Sequence, residues 1–356
     1  MKFVFIVQGE GRGHQTQALA LSEMLTSNGH EISLALVGTN NPSRIPSLLA
    51  EKASFKIETF QSPSLIYNSK TQALSLHKTI RSAVPNTRKY IKSILQIKRA
   101  MEICQPDVII NFYDFLGGLY SAFFTNKAKV VCIGHQYLLL NRHFNHPKGH
   151  WLDRQIVNFN TKITALGSDK ILALSFSEFE NDREIITVPP LVRNELIYYS
   201  NQDLGYILVY LTQPEMISEF LIYAGHYTHL IFEVFIDKCL AEIPENVRIN
   251  PISSSAFIQK MAKCKAIIST AGFESVCEAM YLGKPALMVP IKKHYEQLCN
   301  ALDAQRAGAG IFSKQIDIGS FLTYLQTSKP MSHKIWIHQA EQMFMRELSD
   351  EMCIEL

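Results

Sequence analysis

Short, uninterrupted apolar runs alternate along this chain with stretches whose apolar positions recur every three or four residues. KFVFIVQ (2–8), EISLALVG (31–38), SFKIETF (54–60), PDVIINF (106–112), KAKVVCIGHQ (127–136), KILALSF (170–176) and EIITVPP (184–190) read as strands. Helical spacing is found from Gln15 and again around 88–103. Strands that are apolar throughout and alternate with helices predict a parallel sheet covered on both faces. The block ends near Val188-Pro189-Pro190, where two prolines make a stiff connector. The pattern then restarts. Strands are expected at LGYILVYL, THLIFEVF, VRINPI, AIIST and PALMVPI, and helices at PEMISEFLIYAG, SSAFIQKMAKC, SVCEAMYLG and EQLCNALDAQRAG. The tail HKIWIHQAEQMFMRELSDEM is helical. The predicted fold class is α/β: two Rossmann-like, doubly wound parallel-sheet domains (1–192 and 193–335) facing a cleft, with a C-terminal helix over 336–356 packing back on the first.

Composition narrows the class. A chain of 356 residues is long enough for two cores, and 47% apolar with 19% charged residues is ordinary for a globular protein. A net charge of +3 is too small to argue for nucleic acid. The seven cysteines are scattered and contain no Cys-x-x-Cys pair, so a metal site has no support and buried thiols in a reducing cytoplasm are expected. No run reaches the length of a membrane span, and the chain opens on a strand rather than on the basic start and apolar core of a signal peptide. The charge distribution says more than its sum. No Asp or Glu occurs from Thr59 to Met101, while Lys70, Lys78, Arg81, Arg88, Lys89, Lys92, Lys98 and Arg99 all do. A basic amphipathic helix in this stretch can rest on anionic lipid headgroups, so peripheral membrane contact through 70–101 is weighed against a solvated helix face.

Two glycine turns carry the candidate chemistry. The first, Gln8-Gly9-Glu10-Gly11-Arg12-Gly13-His14, joins a strand to a helix. A dinucleotide loop needs glycine at its first, third and sixth positions; Gly9 and Gly11 fit, but the sixth is His14. A Walker loop fails for want of Gly-Lys-Ser/Thr. A tight turn without chemistry remains open at this point. The second turn, Thr270-Ala271-Gly272, lies between strand AIIS and a helix carrying Glu274 and Glu278. Small residues opening a helix leave backbone N–H groups and a positive dipole end suited to a diphosphate. A carboxylate one turn deeper, at Glu278, can accept ribose hydroxyls.

The stretch GFESVCEAMYLGKP, followed by YEQLCNA, resembles the donor-binding half of GT-B glycosyltransferases. It is most similar to the bacterial lipid-linked N-acetylglucosaminyltransferase of peptidoglycan synthesis and to the plant UDP-glycosyltransferases. The resemblance implies that Thr270, Ala271 and Gly272 cradle a diphosphate, Glu278 binds the ribose, and Glu296 and Gln297 contact the sugar. It also answers the first turn: Gly11 and Gly13 let substrates approach, and His14 is the general base on the acceptor hydroxyl. Asp114 in NFYDF, with Asn111 as competitor, would fix the tautomer of that histidine. His135, after VVCIG, is assigned to the acceptor. The sequence departs from the families at Leu211-Thr212-Gln213, which lacks a glycine-serine turn, and at Ser269-Thr270-Ala271-Gly272, which lacks the plant His-Cys-Gly-Trp motif.

The implied activity is inverting, metal-independent transfer from a nucleotide-sugar, UDP-linked by resemblance, with no cofactor beyond that co-substrate. Retaining GT-B enzymes use two glutamates eight positions apart; eight before Glu278 is Thr270, which disfavours retention. The acceptor is expected to be lipid- or polyprenyl-linked, which would place the protein in the cytoplasm at the inner face of the membrane. Two alternatives stand beside this reading: a non-hydrolysing UDP-sugar 2-epimerase, and a non-catalytic nucleotide-sugar-binding protein.

Overall fold

The computed structural model describes residues 1–63, 84–124, 127–182, 184–236, 242–328 and 334–349. The chain divides into two compact units, Met1–Arg193 with His338–Leu356, and Asn194–Ile337.

The first unit contains, in order, β1 (Lys2–Gln8), α1 (Gly13–Ser27), β2 (Glu31–Thr39), α2 (Ser47–Lys52), β3 (Ile57–Gln61), α3 (Thr87–Cys104), β4 (Val108–Phe112), α4 (Phe115–Phe123), β5 (Lys129–Gly134), α5 (Trp151–Thr164), β6 (Lys170–Leu174) and β7 (Ile185–Val188). The seven strands form one parallel sheet in the order β3-β2-β1-β4-β5-β6-β7. Phe3, Val4, Phe5, Ile6 and Val7 are all fully buried, because β1 lies at the middle of the sheet with helices on both faces. On one face Val4, Ile6, Leu34, Leu36 and Ile109 pack against Ile97, Ala100 and Met101 of α3 and Leu116 and Tyr120 of α4.

The second unit contains β8 (Tyr206–Tyr210), α6 (Pro214–Ala224), β9 (Ile231–Phe235), β10 (Val247–Asn250), α7 (Ser254–Lys263), β11 (Ala266–Ser269), α8 (Phe273–Tyr281), β12 (Ala286–Met288), α9 (Tyr295–Arg306), β13 (Gly310–Phe312) and α10 (Ile318–Thr327). Its parallel sheet has the order β10-β9-β8-β11-β12-β13, the strand order of a dinucleotide-binding fold. Ile207, Val209, Phe220, Phe232, Val234, Ile268, Leu287 and Phe321 belong to its core. Lys284 is buried, and its ammonium donates to the carbonyls of Gln202 (2.5 Å) and Cys264 (2.6 Å).

The tail forms α11 (Lys334–His338) and α12 (Ala340–Ser349) rather than one helix. In α12, Glu347 accepts from Lys170 of β6 at 3.1 Å, and Glu341 accepts from Asn28 at 2.8 Å. Thus this last helix is tied to the first unit. The segment predicted as KAKVVCIGHQ ends its strand at Gly134; His135–Leu140 turn into a 3-10 helix. Of the basic stretch 70–101, Lys70, Lys78 and Arg81 lie outside the described residues.

Candidate active site

In the first sheet β1 has β2 on one side and β4 on the other, so the connections leave these strands in opposite directions. Such a switch point opens a crevice at the carboxyl ends of the strands, where ligands of α/β sheets bind. The glycine turn sits there. Gly11 has φ +79, which a residue with a Cβ adopts only at a cost. Gln15, in the first turn of α1, donates through its side-chain amide to the carbonyls of Gly9 (2.9 Å) and Gly11 (2.7 Å), bracing the turn from below. Gly13 is the first residue of α1, and Arg12, at its N-cap, makes no side-chain cap.

His14 is 9% exposed and held on three sides. Its ring stacks on Tyr113 with centroids 5.5 Å apart and planes 17° from parallel. Nδ1 lies 3.2 Å from Gln17 Oε1, and Nε2 lies 3.3 Å from Gln136 Nε2. The two amides agree on one tautomer. A carboxamide oxygen can only accept and an NH2 only donates here, so Nδ1 carries the hydrogen and Nε2 is the acceptor. Burial lowers the pKa to about 4, partly opposed by the bond to Gln17. The imidazole is therefore neutral at physiological pH, with its lone pair on Nε2. It is a weaker base than the unperturbed value near 6.5 would make it. Tyr113 is held at φ +61, strained by on the order of 1–2 kcal/mol for a residue with a Cβ. Its hydroxyl is 2.8 Å from Thr161 Oγ1.

Asp114 does not supply the carboxylate expected beside His14. It is fully buried as the N-cap of α4: Oδ1 accepts from the amides of Leu116 (2.9 Å) and Gly117 (3.0 Å), and Oδ2 accepts from Ser62 Oγ (2.9 Å). Burial raises its pKa to about 6 despite these donors. Gly38 is required for this arrangement, since a Cβ there would fall 2.2 Å from Asp114 Oδ2. Asn111 is structural as well, donating to the carbonyls of Asp114 and Thr164 and accepting from Asp114 N. His135 is 1% exposed, and its Nδ1–H donates to the Leu174 carbonyl at 2.8 Å, fixing the ring at the end of β6. Gln17, Tyr113 and Gln136 are the neighbours of His14 that the sequence reading did not name. Gln17 was within reach of it, being one turn along the helix. Tyr113 and Gln136 come from two other strand ends and leave no local signal.

Beside the turn, on the side of β2, lies a cavity of about 420 Å³ lined by Gly9, Gly11, Arg12, Gln15, Asn41 and Arg44, among others. Arg12 and Arg44 form no ion pair among the described residues, so the cavity mouth is cationic.

The second unit repeats the scheme at the switch point between β8 and β11. Thr270 is 2% exposed, and its hydroxyl is 3.5 Å from that of Thr212 in the loop after β8. Ala271 is held at φ +59, with Ser269 Oγ accepting from its amide (3.2 Å). Gly272 is the N-cap of α8 and offers no side-chain cap, so the helix starts on a small residue at the strand end. Asn300 of α9 donates to the Ala271 carbonyl at 3.2 Å, tying the motif YEQLCNA to this turn. Gln297 Oε1 accepts from Ile291 N (2.9 Å), and His294 Nδ1 accepts from Gln297 N (3.3 Å), so α9 begins on a fixed loop. Glu296 is half-buried and Glu278 is 1% exposed inside α8. Glu274, Glu278 and Asp303 surround Cys277, whose thiol is pushed well up by burial and by these charges.

A family model described as Glycosyl transferase family 1 matches residues 1–327. An uncharacterized glycosyltransferase of Methanosarcina acetivorans is 24% identical over 336 residues, spanning 87% of this chain and 83% of its own. The UDP-N-acetylglucosamine--N-acetylmuramyl-(pentapeptide) pyrophosphoryl-undecaprenol N-acetylglucosamine transferase of Lacticaseibacillus casei is 22% identical over 330 residues, with 86% and 84% covered. Among solved structures, Acinetobacter baumannii MurG matches with a TM-score of 0.59 at 17% identity, covering 98% of this chain and 99% of that one. Phytolacca americana UGT2, complexed with UDP-2fluoro-glucose and pterostilbene, gives 0.61 at 14% identity, covering 98% and 94%. These structures share the GT-B fold with its two parallel-sheet domains, and the chain is a glycosyltransferase belonging to glycosyl transferase family 1.

Proposed function

We propose that this glycosyltransferase moves a sugar from a UDP-linked donor to an acceptor hydroxyl, with inversion and without a metal. The observation that carries the reading is the pair of switch-point turns. One presents a helix N-terminus with no side-chain cap after Thr270-Ala271-Gly272, and the other presents a neutral imidazole with its lone pair on Nε2. In the step itself the acceptor O–H proton passes to His14 Nε2 as its oxygen bonds the anomeric carbon. The bond from that carbon to the diphosphate breaks, and the departing charge is met by the amides at the start of α8. Glu278 is assigned to the ribose, and Glu296 and Gln297 to the sugar. The relatives named for UDP-N-acetylglucosamine transfer support the choice of UDP.

A lipid- or polyprenyl-linked acceptor is supported by the cationic cavity with Arg12 and Arg44 beside the first turn, which suits a phosphate-bearing group. It is supported too by the outward face of α3, where Ile91 (53% exposed) and Leu95 (52%) stand among Arg88, Lys92 and Arg99. This reading places the protein at the cytoplasmic face of a membrane; no described helix is long and apolar enough to cross one.

Calorimetry against UDP, GDP and NAD, repeated with Glu278→Ala, tests the donor assignment. Selective UDP binding weakened at least tenfold by the substitution supports it. No nucleotide binding, or binding indifferent to Glu278, removes it. Donor consumed without any acceptor and converted to a second UDP-sugar would point to an epimerase instead.

A further inference from the structure

The His14 ring is bracketed by two carboxamides and by no carboxylate. Gln17, on α1 itself, takes the Nδ1 hydrogen, and Gln136, from the turn after β5, donates to Nε2 at 3.3 Å. Gln136 reaches His14 past the end of β4, which lies between β1 and β5 in the sheet, and Tyr113 from that strand end stacks on the ring between them. Gln136 is 8% exposed and His14 9%, so the contact is shielded from water. Among the described residues no charged side chain hydrogen-bonds the imidazole; the nearby Asp114 spends both oxygens on α4 and Ser62.

We propose that Gln136 is a removable cap on the base: its amide holds the hydrogen-bonding direction of Nε2 that an acceptor hydroxyl must occupy. On the transferase reading, the arriving hydroxyl displaces the amide, donates to Nε2 in its place, and thereby exposes the base to its proper substrate alone. Water, which offers one oxygen and little binding energy, gains less from the exchange than an acceptor held elsewhere in the unit. Gln136 is thus a positioning residue that guards the donor against hydrolysis. Gln17 has the complementary part. It fixes the tautomer without adding a charge that would hold the proton on the ring.

The test reads Nε2 directly and needs no knowledge of the substrate. Diethyl pyrocarbonate acylates an unprotonated, accessible imidazole nitrogen, and peptide mass spectrometry follows each histidine separately. In the wild-type protein at pH 7, His14 is expected to react at least tenfold more slowly than the exposed His226. Gln136→Ala should speed the His14 reaction at least tenfold while leaving His226 unchanged, with an unaltered melting curve showing that the fold is kept. Gln136→Glu provides the second readout: a carboxylate at this position stabilises the imidazolium, so the His14 pKa followed by ¹⁵N-histidine NMR should rise by a unit or more. Equal acylation of His14 in the wild type and Gln136→Ala, or a pKa indifferent to Gln136→Glu, would overturn the cap. Failure of UDP to bind would sink the donor assignment and leave these two measurements intact.

Discussion

At the scale of single residues, the chemistry of the first turn is set by what burial does to an imidazole. His14 carries a folded-state pKa of about 4 against 6.5 in the unfolded chain, so the unfolded state binds the extra proton between those values. Stability contributed by keeping the ring neutral is therefore full above about pH 6.5 and declines as the pH falls toward 4. The size is about 3 kcal/mol at the limit. Asp114 works the other way. Its pKa is raised from 3.8 to about 6, so its contribution is full only below 3.8 and is lost as the pH rises through 6. His14→Asn should thus lower the melting temperature less at pH 5 than at pH 7.5, and scanning calorimetry at the two values measures the difference. The same substitution should reduce transfer at least 10³-fold while leaving UDP affinity unchanged. Gly38→Ala carries a different message. Its Cβ would meet Asp114 Oδ2 at 2.2 Å, so a loss of about 2–3 kcal/mol in urea unfolding is expected from a methyl group alone.

At the scale of elements, Asp114 serves its own helix rather than His14. A short helix packed against the sheet leaves its first amides unsatisfied, and an aspartate at its N-cap answers them; α4 uses Asp114 for this. Asp114→Ala should cost about 2 kcal/mol, with Asp114→Asn recovering part of it, and chemical denaturation ranks the three proteins. Among elements, the strands were the most legible in the sequence. Apolar runs such as FVFIV and VII have one physical use in a chain of this composition, the middle of a covered sheet. α5 leaves no clear signal in the sequence, because its outward face has Trp151, Leu152 and Phe159 exposed at 71%, 62% and 65%, which blurs the apolar periodicity. β13 is three residues long, too short to register as a run. In the site, the two glycine turns were visible because glycine and small residues at a strand–helix junction are a local signal. Gln136 was not visible, since its partner is 122 positions away and only the strand order brings them together.

At the scale of the whole molecule, the described residues form two sheets, each with a turn of small residues at its switch point, and one helix that does not follow the chain's own sequence of units. α12 belongs to the first unit, held by Lys170 to Glu347 with both side chains about nine-tenths buried. Among the described residues, Glu347→Ala leaves Lys170 Nζ with only the backbone carbonyl of residue 347, and a loss of about 3 kcal/mol is expected. Limited proteolysis should then cut first near α12, before any site in the second unit. A further consequence concerns synthesis. The second unit is continuous in sequence and can fold as soon as it leaves the ribosome. The first cannot finish: Asn28 and Lys170 wait for Glu341 and Glu347, partners 313 and 177 residues downstream. Until then the surface that Phe344 and Leu348 will cover stays open to chaperones and to other nascent chains. The half of the enzyme that emerges first is thus the half completed last.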